Sequence, residues 1–416
     1  MIDQMTKQKH ELRSWQRNLR AMWITELLAI VGFMVIMPFL PLYLRELGVE
    51  GERQTRIWSG VIFSAPSMAM VIFAPIWGVL SDRHGRKVMV ERAMFGGAVT
   101  MTLMGLVQSP QQLALLRVLQ GVLTGTVTAS TALVASSVPE NRRGYALGTL
   151  QTAIYLGVSV GPLLGGMVGD SFGFRTAFFI TGGLLLSAGV GVLIFVEEPP
   201  RRKQAVANPT SGNSGQARLH QSAWRQLSPV LGSASILAVL SLRFLARMGE
   251  DLTRPTLPLF VEAIATPGAR VATTTGLITG AGALGGALGG RELGRVSDRV
   301  GYRSVLVGCS LLCVLCYAPQ SIVGRPLWLV PLQVGAGIAM GGILASVRAL
   351  LAALGPEGRE GIIYGVEHSV SASASAVGPL LGSGLAAELG LRSPFLAAAG
   401  VLAVGVVVAI RFLPGQ

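Results

Sequence analysis

Long apolar stretches separated by short polar breaks follow one another along the whole chain. Each stretch holds about twenty residues, which is the length a helix needs to cross the hydrocarbon core of a bilayer. The pattern therefore predicts an all-α polytopic membrane protein with twelve transmembrane helices. The predicted spans cover residues 22–44, 57–79, 93–108, 112–136, 144–168, 176–196, 234–262, 271–290, 304–323, 327–352, 361–388 and 393–410.

The second half of the chain repeats markers of the first half in the same order. The sequence GPLLG at Gly161–Gly165 returns at Gly378–Gly382, 217 residues later. A loop segment that begins at Gly78 returns at Gly294, at a separation of 216 residues. Two homologous halves related by a parallel repeat are typical of transporters that work by alternating access.

The repeat and the polar breaks together divide the chain into four segments. Residues 1–21 combine basic and apolar side chains and are predicted to form a cytoplasmic amphipathic segment at the membrane surface. Residues 22–196 and 234–410 are predicted to form two pseudo-symmetric six-helix bundles. Residues 197–233 turn to Pro, Arg, Ser and Gly, which indicates a cytoplasmic linker between the bundles.

Composition and charge agree with a membrane protein. Hydrophobic residues make up 51% of the 416 residues and charged residues only 13%, about half the share usual in soluble proteins. The net charge of +13 follows the predicted topology, because 22 of the 34 Lys and Arg lie in the N-terminal segment, the even-numbered loops and the C-terminus, against 7 in the odd-numbered loops. This asymmetry predicts that both termini are cytoplasmic, in the cell membrane. It favours contact with membrane lipid and argues against a nucleic-acid partner.

Two further patterns are interpreted as helix packing. Cys309, Cys313 and Cys316 share one stripe of the ninth span without His or acidic neighbours, so no metal site is expected. The segment that begins at Gly280 matches a dinucleotide fingerprint, but it lies inside an apolar span and lacks the preceding strand that such a site requires.

Four segments resemble motifs of the major facilitator superfamily. The loop Gly78–Lys87 is similar to the family's signature between its second and third helices, and Arg117–Gly121 resembles its fourth-helix motif. Gly157–Gly166 resembles the fifth-helix motif of the drug:proton antiporter branch, and Met37–Tyr43 resembles the end of the first helix in bacterial multidrug exporters. The resemblance implies a twelve-helix transporter with protons as the coupling ion and no other cofactor. It implies conformational roles for Gly78, Asp82, Arg83, Gly85, Arg86, Lys87, Gln120, Gly121, Gly157, Gly161, Pro162, Gly165, Gly166, Asp298, Arg299, Gly378, Pro379 and Gly382.

Two of these motifs also have a physical interpretation. Asp82 lies among basic residues at a helix end, where its carboxylate could pair with them or accept hydrogen bonds from a neighbouring helix start and so latch one conformation. The alternative is a solvated basic turn that serves topology alone. The Gly-Pro ridge of the fifth span predicts a bare packing surface that moves, and close packing without movement is its alternative.

Arg117 is a charged residue inside the fourth span. Placing a guanidinium at the centre of a bilayer costs on the order of 3 kcal/mol, so Arg117 should face a cavity, a partner or the bundle interior. The repeat-equivalent residue is Val334, which means that the fold does not require the charge. The resemblance links this arginine to proton coupling, and Glu26 is its first candidate acidic partner. A purely structural bond to a carbonyl or an acid is the alternative.

The seventh span carries five charged residues on one helical face. They are spaced at i, i+4, i+7, i+8 and i+11, and they allow pairs between Arg247 and Asp251 and between Glu250 and Arg254. The pattern predicts either a central cavity that contacts substrate or a self-neutralising structural ladder. Glu367 and His368 of the eleventh span are predicted as a proton relay or as a polar pair near water. The predicted cavity residues are Arg243, Arg247, Glu250, Asp251, Arg254, Glu367 and His368.

These observations predict proton-coupled efflux of small, amphipathic, drug-like molecules by a monomeric multidrug antiporter. The alternative within transport is an organic-anion or metabolite carrier of the same superfamily. A membrane receptor or an enzyme on this scaffold has less support, because no soluble sensor domain and no nucleophile–base arrangement is apparent.

Overall fold

A computed structural model describes residues 2–139, 142–198, 233–354 and 360–413, and every regular element within these ranges is helical. A 3₁₀ turn at Pro326–Trp328 precedes α13. The α-helices are α1 (Ile2–Val35), α2 (Leu40–Glu46), α3 (Glu52–His84), α4 (Arg86–Met104), α5 (Pro110–Leu123), α6 (Thr126–Ser137), α7 (Arg143–Phe172), α8 (Phe174–Phe195), α9 (Ala234–Thr253), α10 (Leu257–Ile264), α11 (Val271–Val300), α12 (Tyr302–Gln320), α13 (Leu329–Leu354), α14 (Glu360–Leu389) and α15 (Ser393–Phe412).

The predicted all-α membrane fold is confirmed, but the number of spans is not settled by composition. Ten helical segments in the described ranges are long and apolar enough to cross a membrane. The third and seventh predicted spans are helices α4 and α9, with 19 and 20 residues, and they are not among the ten. Both carry several charged side chains that lower their mean hydropathy. Twelve spans therefore stays a prediction.

Prolines interrupt the first and seventh spans at matching places. The helical segment α1 ends before Pro38 and α9 ends before Pro255, and each is followed by a short helix, α2 or α10, with a proline in its first turn. A proline lacks the amide hydrogen that a helix interior needs, whereas it is tolerated at a helix start. The linker predicted at residues 197–233 lies almost wholly outside the described residues.

The fourth span, predicted as one helix, is broken into α5 and α6. Thr124 and Gly125 separate the two helices, and Gly125 adopts φ of 114°, a conformation that side-chain-bearing residues rarely take. Non-helical backbone at membrane depth is tolerated where protein or a cavity satisfies its polar groups. The indole of Trp77 donates to the Val122 carbonyl (2.7 Å) and Arg92 donates to the Thr124 carbonyl (3.3 Å).

The two halves pack on each other through α7 against α11 and α3 against α14. Gly166 lies against the backbone of Ala272, and Gly60 lies against Ser383. These approaches occur at the end of the molecule that contains the α2–α3 and α10–α11 connections, which we call the closed end. The loops at Gly85 and Gly301 lie at the opposite end.

Candidate functional site

Four of the five charged residues of the seventh span contact one another as their helical spacing predicts. Arg247 Nε lies 2.9 Å from Asp251 Oδ2, and Arg254 pairs with Glu250. Two i, i+3 contacts join the same groups: Arg247 to Glu250 at 3.1 Å and Arg254 to Asp251 at 3.1 Å. The backbone of α9 therefore brings two arginines and two acids into one connected network.

Helix α14 completes this network from the opposite side. Arg243 donates to Glu367 Oε1 (2.5 Å) and to the Ser371 hydroxyl (2.7 Å). Ser375 bridges the two helices, because it accepts from Arg247 (2.8 Å) and donates to Asp251 (2.6 Å). The serines were missed in the sequence, where small hydroxyl residues in an apolar span carry no distinct signal. We call the six charged residues the ionic cluster: Arg243, Arg247, Glu250, Asp251, Arg254 and Glu367.

The ionic cluster contains three bases and three acids, so its formal charges cancel. Its members differ in access to solvent. The side chains of Asp251 and Glu367 are only 2% and 6% exposed, whereas those of Glu250 and Arg254 are 34% and 37% exposed. A ligand could reach Glu250 and Arg254 more readily than the two buried acids, and through Arg254 it would also act on Asp251. The cluster can therefore act both as a structural tie and as a polar contact surface.

Glu367 and His368 do not face the same surroundings. Glu367 is buried and its carboxylate pairs with Arg243, while the neighbouring His368 is exposed. Successive residues of a helix point about 100° apart, which accounts for the difference. The structure thus places Glu367 in the ionic cluster and His368 outside it.

Arg117 is buried in the N-terminal half and is held by polar groups without charge. Its Nε donates to the Ile62 carbonyl (3.1 Å) and its Nη1 donates to Gln120 Oε1 (2.8 Å). Gly121, in the same motif, packs directly on the backbone of Pro66. The fourth-helix motif therefore ties α5 to α3.

Glu26 does not pair with Arg117, so the partner expected from the sequence is wrong for this conformation. Glu26 is fully buried, and its Oε2 accepts from the Ser130 hydroxyl (2.5 Å) in α6. Ser130 follows Arg117 by thirteen residues, which corresponds to roughly 20 Å along a helix. Each residue lies in the first two turns of its span, and because the first and fourth spans are antiparallel, Glu26 and Arg117 lie toward opposite sides of the membrane. The two residues lie at different depths along the membrane normal and are too far apart to pair.

One oxygen of the Glu26 carboxyl, Oε1, is buried and has no hydrogen-bond partner. No ion pair involving Glu26 is found among the described residues. A charged carboxylate in such a place is costly unless a proton or a cation neutralises it. The charge at Glu26 therefore depends on whether a proton or a cation binds to its carboxylate.

Glu198 organises the loop between α3 and α4. Its carboxylate accepts from the backbone amides of Arg86 (2.9 Å) and Lys87 (2.8 Å), the first residues of α4. Gly85 makes this approach possible, since a Cβ built there would lie 2.9 Å from the Glu198 carboxylate. The sequence interpretation considered such a role for Asp82. The side chain of Asp82 lies outside the part of the chain that the structure describes, and its latch function stays a prediction.

Other members of the loop motifs are also placed. The Arg86 guanidinium donates to the Ala132 carbonyl (2.9 Å), and Lys87 donates to the Leu193 carbonyl (2.9 Å). In the second half, Asp298 accepts from the Tyr302 hydroxyl (3.2 Å), and Arg299 is exposed. The first-half loop is thus tied more extensively to its own bundle.

The glycines of the fifth span pack on α1 of the same half, and the neighbouring residues of α7 pack on α11 of the other half. A Cβ built on Gly165 would lie 1.8 Å from the Val35 carbonyl oxygen, so the helices touch backbone to backbone. Gly157 and Gly161 make similar contacts with α1, whereas Gly166 and the carbonyl of Pro162 face α11. If the glycine ridge of the fifth span slides as predicted, the surface that moves would be the face of α7 that packs against α11 of the other half.

The matching glycines of α14 pack against the ionic cluster. Gly378 lies against the Cβ atom of Asp251, and Gly382 lies against the Leu252 carbonyl. The carbonyl of Pro379 lies close to Gly60 of the first half. This segment therefore links the cluster to the closed end.

Several charged residues join the halves at the closed end, and the sequence interpretation missed them. Asp170 of α7 accepts from the amide of Thr273 (2.7 Å) and from its hydroxyl (2.7 Å), at the first turn of α11. Arg45 and Glu262 form an ion pair of 2.6 Å between repeat-equivalent positions. Opposite charges at equivalent positions of the two halves are a signal that could have been noticed, whereas the Asp170 contact depends on packing.

Asp170→Asn is expected to loosen the closed end. Both carboxylate oxygens accept from the helix start in the other half, and asparagine keeps only one acceptor and no charge, so the substitution should cost about 0.3–1 kcal/mol, or roughly a two- to fivefold change in a two-state population. Spin labels at positions 50 and 266 should report a larger open population at that end. Glu262→Gln serves as the comparison, because the exposed Arg45–Glu262 pair should contribute little. Equal label distances in Asp170→Asn and the unsubstituted protein would contradict the role.

Comparisons with known proteins agree with this architecture. The family model described as Major Facilitator Superfamily matches residues 22–242 and 239–416. The chain is 34% identical to the multidrug resistance protein MdtG of Citrobacter koseri over 393 residues, covering 94% of this chain and 93% of that protein. It is also 34% identical to MdtG of an Escherichia coli strain over 390 residues, covering 94% and 92%.

Solved structures show the same fold at low sequence identity. An inward-facing, unoccupied bacterial homologue of the human lysosomal transporter Spinster superposes with a TM-score of 0.73 at 17% identity, covering 96% of this chain and 98% of the other. The nucleoside transporter NupG gives a TM-score of 0.76 at 15% identity, covering 95% and 100%. The chain thus belongs to the major facilitator superfamily and is a multi-pass membrane transporter, not an enzyme.

Proposed function

We propose that this transporter exports small amphipathic organic molecules in exchange for protons, by alternating access. The observation that carries the proposal is the buried Glu26 carboxyl, which has one hydrogen bond and an unsatisfied second oxygen. Uptake of a single proton would convert this site from negative to neutral. The names of the multidrug resistance relatives support the class of substrate.

Contacts between the halves support alternating access. They cluster at the end that contains Asp170, Arg45 and Glu262. The distribution of Lys and Arg predicts that this end faces away from the cytoplasm. The conformation would then open toward the cytoplasm, with both termini on that side, ready to receive a substrate for export.

The proton and the substrate would use the two halves differently. Glu26 would accept a proton when the transporter is open to the outside and release it to the cytoplasm, and substrate binding would be favoured when Glu26 is deprotonated. Arg117 would hold α5 against α3 during this cycle without contacting Glu26 in the present conformation. Protons would be the coupling ion, and the protein would work as a monomer.

The ionic cluster would form part of the substrate cavity. Each of its three arginines already contacts an acid, so the site offers no uncompensated positive charge to an organic anion. Partly exposed Glu250 is the acid of the cluster that the cationic group of an amphipathic drug could reach, and the drug would compete there with Arg247 and Arg254. An organic-anion or metabolite carrier is the second candidate, and it would require an anion to displace an acid from one of these arginines.

Reconstitution into vesicles tests the proposal directly. A pH gradient that is acidic on the outer side of the protein should drive lipophilic cations outward, and collapse of the gradient should stop net movement. Neutral drugs and organic anions are screened in the same vesicles. Transport that ignores the gradient would contradict proton coupling, and coupled movement of organic anions alone would favour the second candidate.

A further inference from the structure

A cavity lies inside the N-terminal half, away from the ionic cluster. It has a volume of about 330 Å³ and is lined by α3, α4 and the broken fourth span. This volume is at the lower end of the range for pockets that hold small ligands. Its lining combines basic, hydroxyl and apolar side chains, among them Arg86, Arg92, Trp77, Met89, Ser81 and Thr128.

Arg92 is the residue of this cavity that most clearly indicates a ligand. Its guanidinium carbon lies 3.6 Å from the centre of the Trp77 ring, and its Nη2 donates to the Thr124 carbonyl (3.3 Å). Its Nε and Nη1 are buried and have no hydrogen-bond partner. A guanidinium has five donors in a rigid fork that fits phosphate and carboxylate oxygens. Two of these nitrogens are therefore unsatisfied next to an open space.

The fold does not require a cation at this position. Arg92 is the seventh residue of α4, and the seventh residue of the matching helix α12 is Gly308. The aromatic partner is also particular to the first half, since Leu293 occupies the position equivalent to Trp77 at the separation of 216 residues. A site present in one half only is better explained by a ligand than by symmetric packing.

The depth of Arg92 indicates where the ligand comes from. Arg92 follows Arg86, the start of α4, by six residues, which places its Cα about 9 Å from the helix end. Side chains of a helix lean toward its N-terminus, and long basic side chains extend toward the membrane surface. The guanidinium contacts the Thr124 carbonyl at the break in the fourth span, so a phosphate group would enter the cavity from the leaflet that faces the basic loop, past Arg86.

We propose that this cavity binds the phosphodiester headgroup of an anionic phospholipid, with Arg92 as its main ligand. The unsatisfied Nε and Nη1 would donate to the phosphate oxygens, and Arg86 would add positive charge at the mouth. Trp77, Met70 and Met89 provide an apolar wall for the beginning of an acyl chain. The cavity is too small for a whole lipid, so the remaining chains stay in the bilayer. The site is separate from the substrate path proposed above.

Native mass spectrometry of the purified full-length protein tests this site. Phosphatidylglycerol is titrated against the unsubstituted protein, Arg92→Gln, Arg92→Lys and Arg303→Gln. The last variant is the matched control, because it removes an exposed guanidinium of the second half that contacts the Ile410 carbonyl. Arg92→Gln should retain at least about fivefold less phosphatidylglycerol, Arg92→Lys an intermediate amount, and Arg303→Gln the same amount as the unsubstituted protein.

Three outcomes overturn the proposal. The first is equal phosphatidylglycerol binding by Arg92→Gln and the unsubstituted protein. The second is equal retention of zwitterionic phosphatidylcholine, which carries no net charge. The third is displacement of phosphatidylglycerol by an equal concentration of soluble glycerol phosphate, because this would assign the site to a soluble anion. If Arg92→Gln does not fold, Arg92→Lys decides, and lipid retention equal to that of the unsubstituted protein then counts against the site.

Discussion

Replacing Glu26 with glutamine is expected to abolish transport driven by a pH gradient while substrate binding is retained. Glutamine keeps the shape of the buried side chain and its contact with Ser130, but it cannot exchange a proton. A loss of roughly 100-fold in the gradient-driven rate is expected, which is the lower end of what a positioned proton-transfer group contributes. The measurement is substrate efflux from vesicles with and without the gradient, together with substrate affinity at two pH values.

The pH dependence distinguishes this role from a structural one. In the unsubstituted protein, substrate affinity should fall as the pH is lowered and Glu26 takes up its proton, and in Glu26→Gln it should no longer change with pH. Ser130→Ala is the matched control, because it removes the hydroxyl donor and leaves the carboxyl in place, so the rate should fall by only a few-fold. Full gradient-driven export by Glu26→Gln, together with its loss in Asp251→Asn, would transfer the coupling role to the ionic cluster.

Asp251→Asn is expected to destabilise the protein and to change its substrate preference. Asp251 is 1% exposed and its carboxylate contacts Arg247, Arg254 and Ser375. Neutralising it leaves three arginines against two acids, and breaking a buried ion pair in this way typically costs about 3–5 kcal/mol. The midpoint of thermal unfolding in detergent should fall, and the surplus positive charge should shift binding from cationic toward anionic substrates.

Glu250→Gln provides the comparison for Asp251. Glu250 also contacts two arginines, but its side chain is 34% exposed, so water can compensate much of the lost charge. The midpoint of thermal unfolding should fall less than half as far in Glu250→Gln as in Asp251→Asn. An unchanged midpoint in Asp251→Asn, with unchanged substrate preference, would show that the cluster neither stabilises the fold nor contacts the substrate.

Local patterns predicted the features that depend on spacing along one helix. The pairs Arg247–Asp251 and Glu250–Arg254 follow from the i, i+4 geometry, which is the same in every α-helix. The predicted seventh span contains a helix, α9, although its charges keep it out of the ten segments that are apolar enough to cross a membrane. The breaks at the equivalent prolines were not predicted, because the first and seventh spans were each predicted as one continuous segment.

The predicted Glu26–Arg117 pair was wrong because a contact between two helices depends on how the helices lie relative to each other, which spacing along one helix does not give. Each residue lies in a span of known direction, and comparison of their depths already separates them by roughly 20 Å. Spacing also gave no reason to connect Ser130 with Glu26, or Glu198 with the start of α4. These partners are 104 and 112 residues apart in the chain, and only the packing of the bundle brings them together.

The amino-acid sequence by itself determined the membrane environment, the two repeated halves and the charged face of the seventh span, because each depends on hydropathy or on the fixed period of a helix. Tertiary structure alone decided that Glu367 closes the ionic cluster, that Asp170 holds α11 at the closed end and that Arg92 faces a cavity with unsatisfied donors. Such contacts join helices that are distant in the chain. Their identity depends on helix depth, rotation and the close approaches that glycines permit, which no local pattern contains.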